Sequence, residues 1–186
     1  MATESERLLV GAWLDAVGTS LSAIAETREL VGLNELNNRL VAIGEGLQAV
    51  GTLLIGTVTT DDALNFTGNW IDGAGAAASS LGSYLQDQDE ENGERNIRLE
   101  MFGDFLQSMG ASISAVADYQ AGEIEYAKGN ALQGVGAALE VIGTELDLKE
   151  RVEGQPLITI GAILQAIGSN TNALVATREY QEEAGT

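Results

Sequence analysis

Residues 11–18, GAWLDAVG, carry a pattern that returns five more times along this chain of 186 residues. Each copy begins and ends with glycine, and a polar residue stands four places after the first glycine. Agreement at so many positions is the mark of an internal repeat. The six copies are GAWLDAVG at 11–18, GEGLQAVG at 44–51, GNWIDGAG at 68–75, GDFLQSMG at 103–110, GAALEVIG at 136–143 and GAILQAIG at 161–168.

The spacing of the copies indicates a duplication. Successive copies begin 33, 24, 35, 33 and 25 residues apart, so copies one and four, two and five, and three and six lie 92, 92 and 93 residues apart. The simplest account is that 1–92 and 93–186 are two versions of one three-element unit. The junction, 87–93, is polar and acidic, as expected of a surface connection.

The apolar positions have the period of an α-helix. In the fourth copy they recur at intervals of four and three residues, and the alternation typical of a strand is absent. The segment Thr60-Asp61-Asp62 can cap a third helix, and Pro156 suits the first turn of a sixth. The sequence predicts an all-α, six-helix bundle or array of two three-helix halves. Its helices are expected to be about 20–28 residues long, with short connections and antiparallel neighbours.

Twelve glycines lie inside these predicted helices, where each costs roughly 0.5–1 kcal/mol relative to alanine. Glycines seven residues apart form a bare strip along one side of a helix. We expect a neighbouring helix backbone to pack closely against each strip and to offset the cost. The predicted helix-packing glycines are Gly11, Gly18, Gly44, Gly51, Gly68, Gly75, Gly103, Gly110, Gly136, Gly143, Gly161 and Gly168.

A polar residue projects beside each glycine strip. These residues either mark the wet edge of each helix, cross to a neighbouring helix as buried polar contacts, or include a catalytic carboxylate. No base, metal ligand or oxyanion partner is identifiable for a catalytic role. The residues are Asp15, Gln48, Asp72, Gln107, Glu140 and Gln165.

The remaining helix faces are small and uncharged, as at Ala12, Ala16 and Ala162. Six helices cannot all be central in one small domain, so the sequence predicts a protein that self-associates through these small-residue faces. Trp13, Trp70 and Phe105 share one motif position and are expected to be core or interface anchors.

The charge balance limits the partners. The chain has 28 acidic and 9 basic residues, a net charge of −19. Nucleic acid needs clustered Lys and Arg, and an anionic membrane surface repels an acidic protein, so we expect no nucleic acid and regard a membrane as an improbable partner. An acid excess with two lysines also fits a halophilic protein. In such a protein, cations or high salt would support assembly. An ordinary acidic protein is the alternative.

Cysteine and histidine are both absent. Disulfides, Cys/His zinc sites, thiolate nucleophiles and histidine triads are therefore excluded. We expect no enzyme, no catalytic residue, no metal and no cofactor. The sequence start does not resemble a signal peptide, and no stretch reaches 18 consecutive apolar residues. These features predict a cytoplasmic protein by default, with unconventional export as the alternative.

The units at 11–30 and 161–181 resemble a family of small, repetitive helical proteins of unknown function, best represented in bacilli. Its units read Gly-x-Trp/Leu-x-Gln-Ala-Ile-Gly, and the likeness covers the six motif regions. Asp15, Asp72 and Glu140 depart from the glutamine of that pattern. The resemblance implies a helical repeat and assigns no catalytic residue.

These features together predict a non-enzymatic structural protein that assembles into homo-oligomers, with a filament, tube or shell as candidate architectures. Two alternatives remain open. One is a membrane-active helical protein, since similar glycine spacing occurs in membrane helices. The other is a helical bundle that binds a small ligand between its helices.

Overall fold

The computed structural model describes residues 3–33 and 35–185, and only the backbone of Glu90. These residues form α1 (Glu4–Leu30), α2 (Asn37–Gly56), α3 (Ala63–Gln88), α4 (Gly93–Ala121), α5 (Ile124–Asp147) and α6 (Gly154–Ala184). One 3-10 turn, Glu90–Asn92, precedes α4, and no strand occurs in the described ranges. The prediction of an all-α, six-helix protein is confirmed, with helices of 20 to 31 residues.

Local sequence signals set several helix ends. The Thr3 hydroxyl accepts a hydrogen bond from the Glu6 amide, and the Glu6 carboxylate accepts one from the Thr3 amide, which completes a capping box. Asp62 caps α3 by accepting from two backbone amides of the first turn, as predicted. Pro156 lies in the first turn of α6, and α4 ends at Gly122 with a left-handed φ of 87°.

The six helices form a closed ring. Each helix packs against the one before it and the one after it, and α6 returns to pack against α1. Within the described ranges the backbone of each helix approaches only those of its two neighbours, and helices across the ring meet only through side chains in the lumen. Because short connections make neighbours antiparallel, the result is an up-and-down barrel around a central lumen. The predicted boundary at 92/93 falls between α3 and α4, which pack together, so both predicted halves belong to this single ring.

The motif glycines join the helices into three hairpins, α1–α2, α3–α4 and α5–α6. A Cβ added to Gly11 would lie 2.7 Å from the Gly51 carbonyl oxygen, and one added to Gly136 would lie 2.5 Å from that of Gly161. Each of the twelve glycines meets an atom of its partner helix at a distance that no real Cβ tolerates. The paired backbones are therefore in direct contact, and dispersion offsets the cost of helical glycine.

Hydroxyl groups join one hairpin to the next. Ser80 of α3 donates to a backbone carbonyl of α2 at 2.7 Å, and Ser108 of α4 donates to one of α5 at 2.9 Å. The hydroxyls of Thr19 and Ser169 share a hydrogen bond of 2.5 Å between α1 and α6. These three junctions close the ring.

The sequence predicted that the small-residue faces lie between subunits. The structure instead buries most of them between the helices of one chain. They form the helix flanks. The buried members include Ala12, Ala16, Thr19, Ala49, Thr52, Gly73, Ala76, Ala162 and Ser169.

Large apolar side chains point outward on every helix. Trp13, Trp70 and Phe105 lie on this outer surface and not in the core, so their role as interface anchors stays a prediction. The largest fully buried side chains are instead those of Gln48 and Gln107. Representatives on α1 to α6 are Val17, Val50, Trp70, Phe105, Ile142 and Ile167, which are 43–57% exposed.

Candidate functional site

The polar residues of the repeat lie inside the barrel. All six are at most 8% exposed, so they do not mark the wet edges of the helices. Of the three alternatives for these residues, the structure agrees with buried polar residues that lie between helices. In each pair of copies related by the 92- or 93-residue offset, one residue is an acid and the other an amide. The pairs are Asp15 and Gln107, Glu140 and Gln48, and Asp72 and Gln165.

Glutamines form a layer across the lumen. Gln48 donates to the Gln107 side-chain oxygen at 2.5 Å, and Gln107 donates to Glu45 at 2.8 Å. Gln165 donates to Glu140 at 3.0 Å. We call Gln48, Gln107, Gln133 and Gln165 the glutamine layer; each is at most 3% exposed.

On one side of this layer is an acidic cavity of about 210 Å³. Glu45 accepts from the Ser22 hydroxyl at 3.1 Å, Asp104 accepts from Ser79, and Glu26 accepts from the Gln155 amide at 2.8 Å. All these partners are neutral donors. The carboxylates that line the cavity are Glu26, Glu29, Glu45, Glu100, Asp104, Glu140 and Asp147.

On the other side is an asparagine cavity of about 230 Å³, named for Asn65, Asn69, Asn130 and Asn172 in its wall. Asp118 accepts hydrogen bonds of 2.6 Å from the amides of Asn65 and Asn130. Asp15 and Asp72 also line this cavity, and each has one buried oxygen without a hydrogen-bond partner.

The buried carboxylates have no basic partner. The ion pairs of the described residues all lie at the helix ends, and neither Lys nor Arg is among the described residues that line the two cavities. Taking a carboxylate out of water without a counter-charge is costly, so such a group holds a proton or a cation. The chemistry that the lumen offers is therefore binding of cations or protons.

The ion pairs at the rim behave differently. The hydrogen bond from Arg39 lowers the pKa of Asp87, and the hydrogen bond from Lys149 lowers the pKa of Glu145. Both carboxylates are solvated, so the pairs contribute little to stability. They show that positive charge in this chain is kept at the barrel ends.

Several lumen acids are not among the residues that the repeat pattern singles out. Glu45 and Asp104 follow the first glycine of their copies, at a position where three other copies have alanine and one has asparagine, and both are buried. A charged residue directly beside a packing glycine was the available signal, because that position turns inward with the glycine. Glu26 and Glu100 lie outside the repeat, so no periodic signal identified them.

The fold and site define a helical barrel with an apolar exterior and an acidic lumen. Residues 6–173 match DUF6944, a family of unknown function, and the chain belongs to that family. This agrees with the expected family of unknown function. Comparison with curated proteins and with solved structures finds no match.

Proposed function

We propose that this protein is an integral membrane protein whose barrel spans the lipid bilayer and whose acidic lumen is a path for cations. The observation that carries the proposal is the inverted polarity, with large apolar side chains outside and carboxylates inside. A protein folded in water normally buries large apolar side chains and exposes carboxylates. In a bilayer, ionisable residues face the interior of a bundle and mark ion pathways.

The height of the apolar exterior supports the proposal. In α6 no charged residue occurs from Gly154 to Thr177, which is about 36 Å of helix. The hydrocarbon core of a bilayer is about 30 Å thick. By length and composition α1, α2 and α6 can each cross a membrane. An unbroken apolar run is not needed in a barrel, because the lumen side of each helix is polar.

The charge pattern favours cations. Carboxylates without basic neighbours line the acidic cavity, and a ring of such groups attracts cations and repels anions. The net charge of −19 does not oppose insertion, because the acids are concentrated in the lumen and at the helix ends. No catalytic step is needed, so the proposal keeps the expectation of a non-enzymatic protein.

Tryptophan fluorescence tests membrane insertion. The two tryptophans, Trp13 and Trp70, both lie on the apolar exterior. In vesicles of brominated lipid we expect their emission to be quenched, and quenching in Trp13→Phe and Trp70→Phe assigns each one. Emission identical in brominated and ordinary vesicles would contradict insertion.

A charge on the exterior provides a matched test. Ile167→Lys places a charge in the middle of the exterior of α6, at a cost of roughly 2.5–3.5 kcal/mol in hydrocarbon, whereas Gln181→Lys lies beyond it on the same helix. We expect the first variant to lose resistance to alkaline extraction and the second to keep it. Cation flux into vesicles then tests the path itself.

Self-assembly in water is a second candidate, favoured by the exposed aromatic side chains of Trp70 and Phe105. It would use the large apolar exterior rather than the small-residue faces. Light scattering without lipid or detergent distinguishes the two. Large soluble particles that do not float with vesicles would favour assembly.

A further inference from the structure

We infer that the asparagine cavity contains a binding site for a divalent cation of the calcium class, held by Asp15 and Asp72 together with neutral oxygens of Thr52 and Gln133. The inference deepens the proposed cation path, on which its biological role rests, by naming the ion and the place where it stops.

Four buried oxygens without partners support the site. Oδ1 of Asp15, Oδ1 of Asp72, Oγ1 of Thr52 and Oε1 of Gln133 are buried and make no hydrogen bond. Their residues are at most 6% exposed and all line the asparagine cavity, where Oδ1 of Asn172, beside Gly129, is a fifth buried oxygen without a partner. An unsatisfied buried polar atom costs about 1–3 kcal/mol, so five at one cavity need a common explanation.

The chemical type of these atoms identifies the ligand. All four are oxygens, and carboxylate, amide and hydroxyl oxygens are ligands of hard cations. Asp15 and Asp72 repel each other, and a cation between them removes that repulsion. Two carboxylates neutralise a divalent ion. The described residues contain no group of three or more acidic, His or Cys ligands, so neutral oxygens and water must complete the shell.

Calcium fits better than magnesium. Ca²⁺ accepts six to eight oxygens in irregular geometry, whereas Mg²⁺ demands a near-ideal octahedron and retains its waters. The four residues come from α1, α3, α2 and α5, so the ligand set combines four separate helices. The cavity of about 230 Å³ also has room for coordinating water.

Calcium titration of the purified full chain in detergent tests the site without requiring a membrane. We expect saturable binding by calorimetry in 0.5 M KCl, which suppresses diffuse binding to surface acids. Asp15→Asn and Asp72→Asn should each weaken binding by about tenfold or more. Gln133→Ala should weaken it less, and it keeps both charges if an Asp variant fails to fold.

Matched controls locate the site. Asp87→Asn and Glu145→Gln each remove a solvated acid that pairs with a basic residue at a barrel end, away from both cavities. Both should bind calcium as the unmodified chain does, and all variants should keep the unmodified circular dichroism spectrum.

The outcomes separate this inference from the proposed function. Absence of saturable calcium binding overturns the site even if lipid quenches both tryptophans. So does calcium binding by the Asp15→Asn and Asp72→Asn variants that is as tight as that of the unmodified chain. Calcium binding that depends on these residues supports the site even if lipid does not quench them, and the membrane proposal alone then fails.

Discussion

Gly44 and Gly46 lie two residues apart on α2 and have different surroundings. A Cβ at Gly44 would lie 2.7 Å from the Gly18 carbonyl oxygen, whereas one at Gly46 would meet only the Ser80 hydroxyl, at 3.3 Å. The repeat pattern identified Gly44 as a packing residue and not Gly46. At this scale the sequence was informative, because close backbone contact tolerates no other residue.

Alanine at these two positions gives a matched comparison. Gly44→Ala should lower the free energy of unfolding by about 1–3 kcal/mol, because its Cβ overlaps backbone atoms that cannot move. Gly46→Ala should change it between zero and a gain of about 1 kcal/mol, from helix propensity. Denaturant unfolding in detergent measures both. Equal losses would mean that α1 and α2 are not in backbone contact.

Gln107 joins Gln48 and Glu45 across the lumen. Gln107→Ala removes both hydrogen bonds and the bulk of the side chain, so cation flux into vesicles should increase. Gln120→Ala, at an exposed position of the same helix, is the control and should leave flux unchanged. Unchanged flux in both variants would show that the glutamine layer does not limit passage.

The number and order of the helices could be predicted from the six motif copies, the helix caps and the short connections. The packing of α6 against α1, which closes the ring, could not be predicted from the sequence. Residues 19 and 169 are far apart in sequence, and nothing in either motif names its partner across the ring. Long-range pairing depends on the shape of the whole assembly, which a local pattern does not contain.

Disulfide trapping tests this closure in a chain with no cysteine of its own. Because the Thr19 and Ser169 hydroxyls lie 2.5 Å apart, a Thr19→Cys and Ser169→Cys pair should form a disulfide under mild oxidation. The pair Thr19→Cys and Ser114→Cys joins helices that do not touch and should stay reduced. Bond formation only in the second pair would be incompatible with the ring.

At the scale of the molecule, the sequence did not reveal which side of each helix faces inward. The small, uncharged faces were predicted to lie between subunits, because a solvated helix face usually carries charged residues. In the barrel these faces are helix flanks, and acids such as Glu45 and Asp104 line the lumen. Composition averages over both sides of the wall, so a net charge of −19 concealed the apolar exterior.

The basic residues predict the orientation in a membrane. Six of the nine lie near the 31–36, 89–92 and 148–153 connections, and three lie toward the opposite end. By the positive-inside rule the first end should face the cytoplasm. A membrane-impermeant maleimide applied to intact cells should label Thr60→Cys and not Glu91→Cys. The reverse labelling would invert the orientation.

The two kinds of junction in the wall differ in what they allow. Within a hairpin, backbones meet at glycines and leave no slack. Between hairpins, single hydroxyl groups such as Ser80 and Ser108 bridge the wall. A change in the width of the lumen therefore costs least at α2–α3 and α4–α5, whereas additional hydrogen bonds, such as that from Thr159 to the Glu26 carbonyl, hold α6 to α1, and each hairpin keeps its shape.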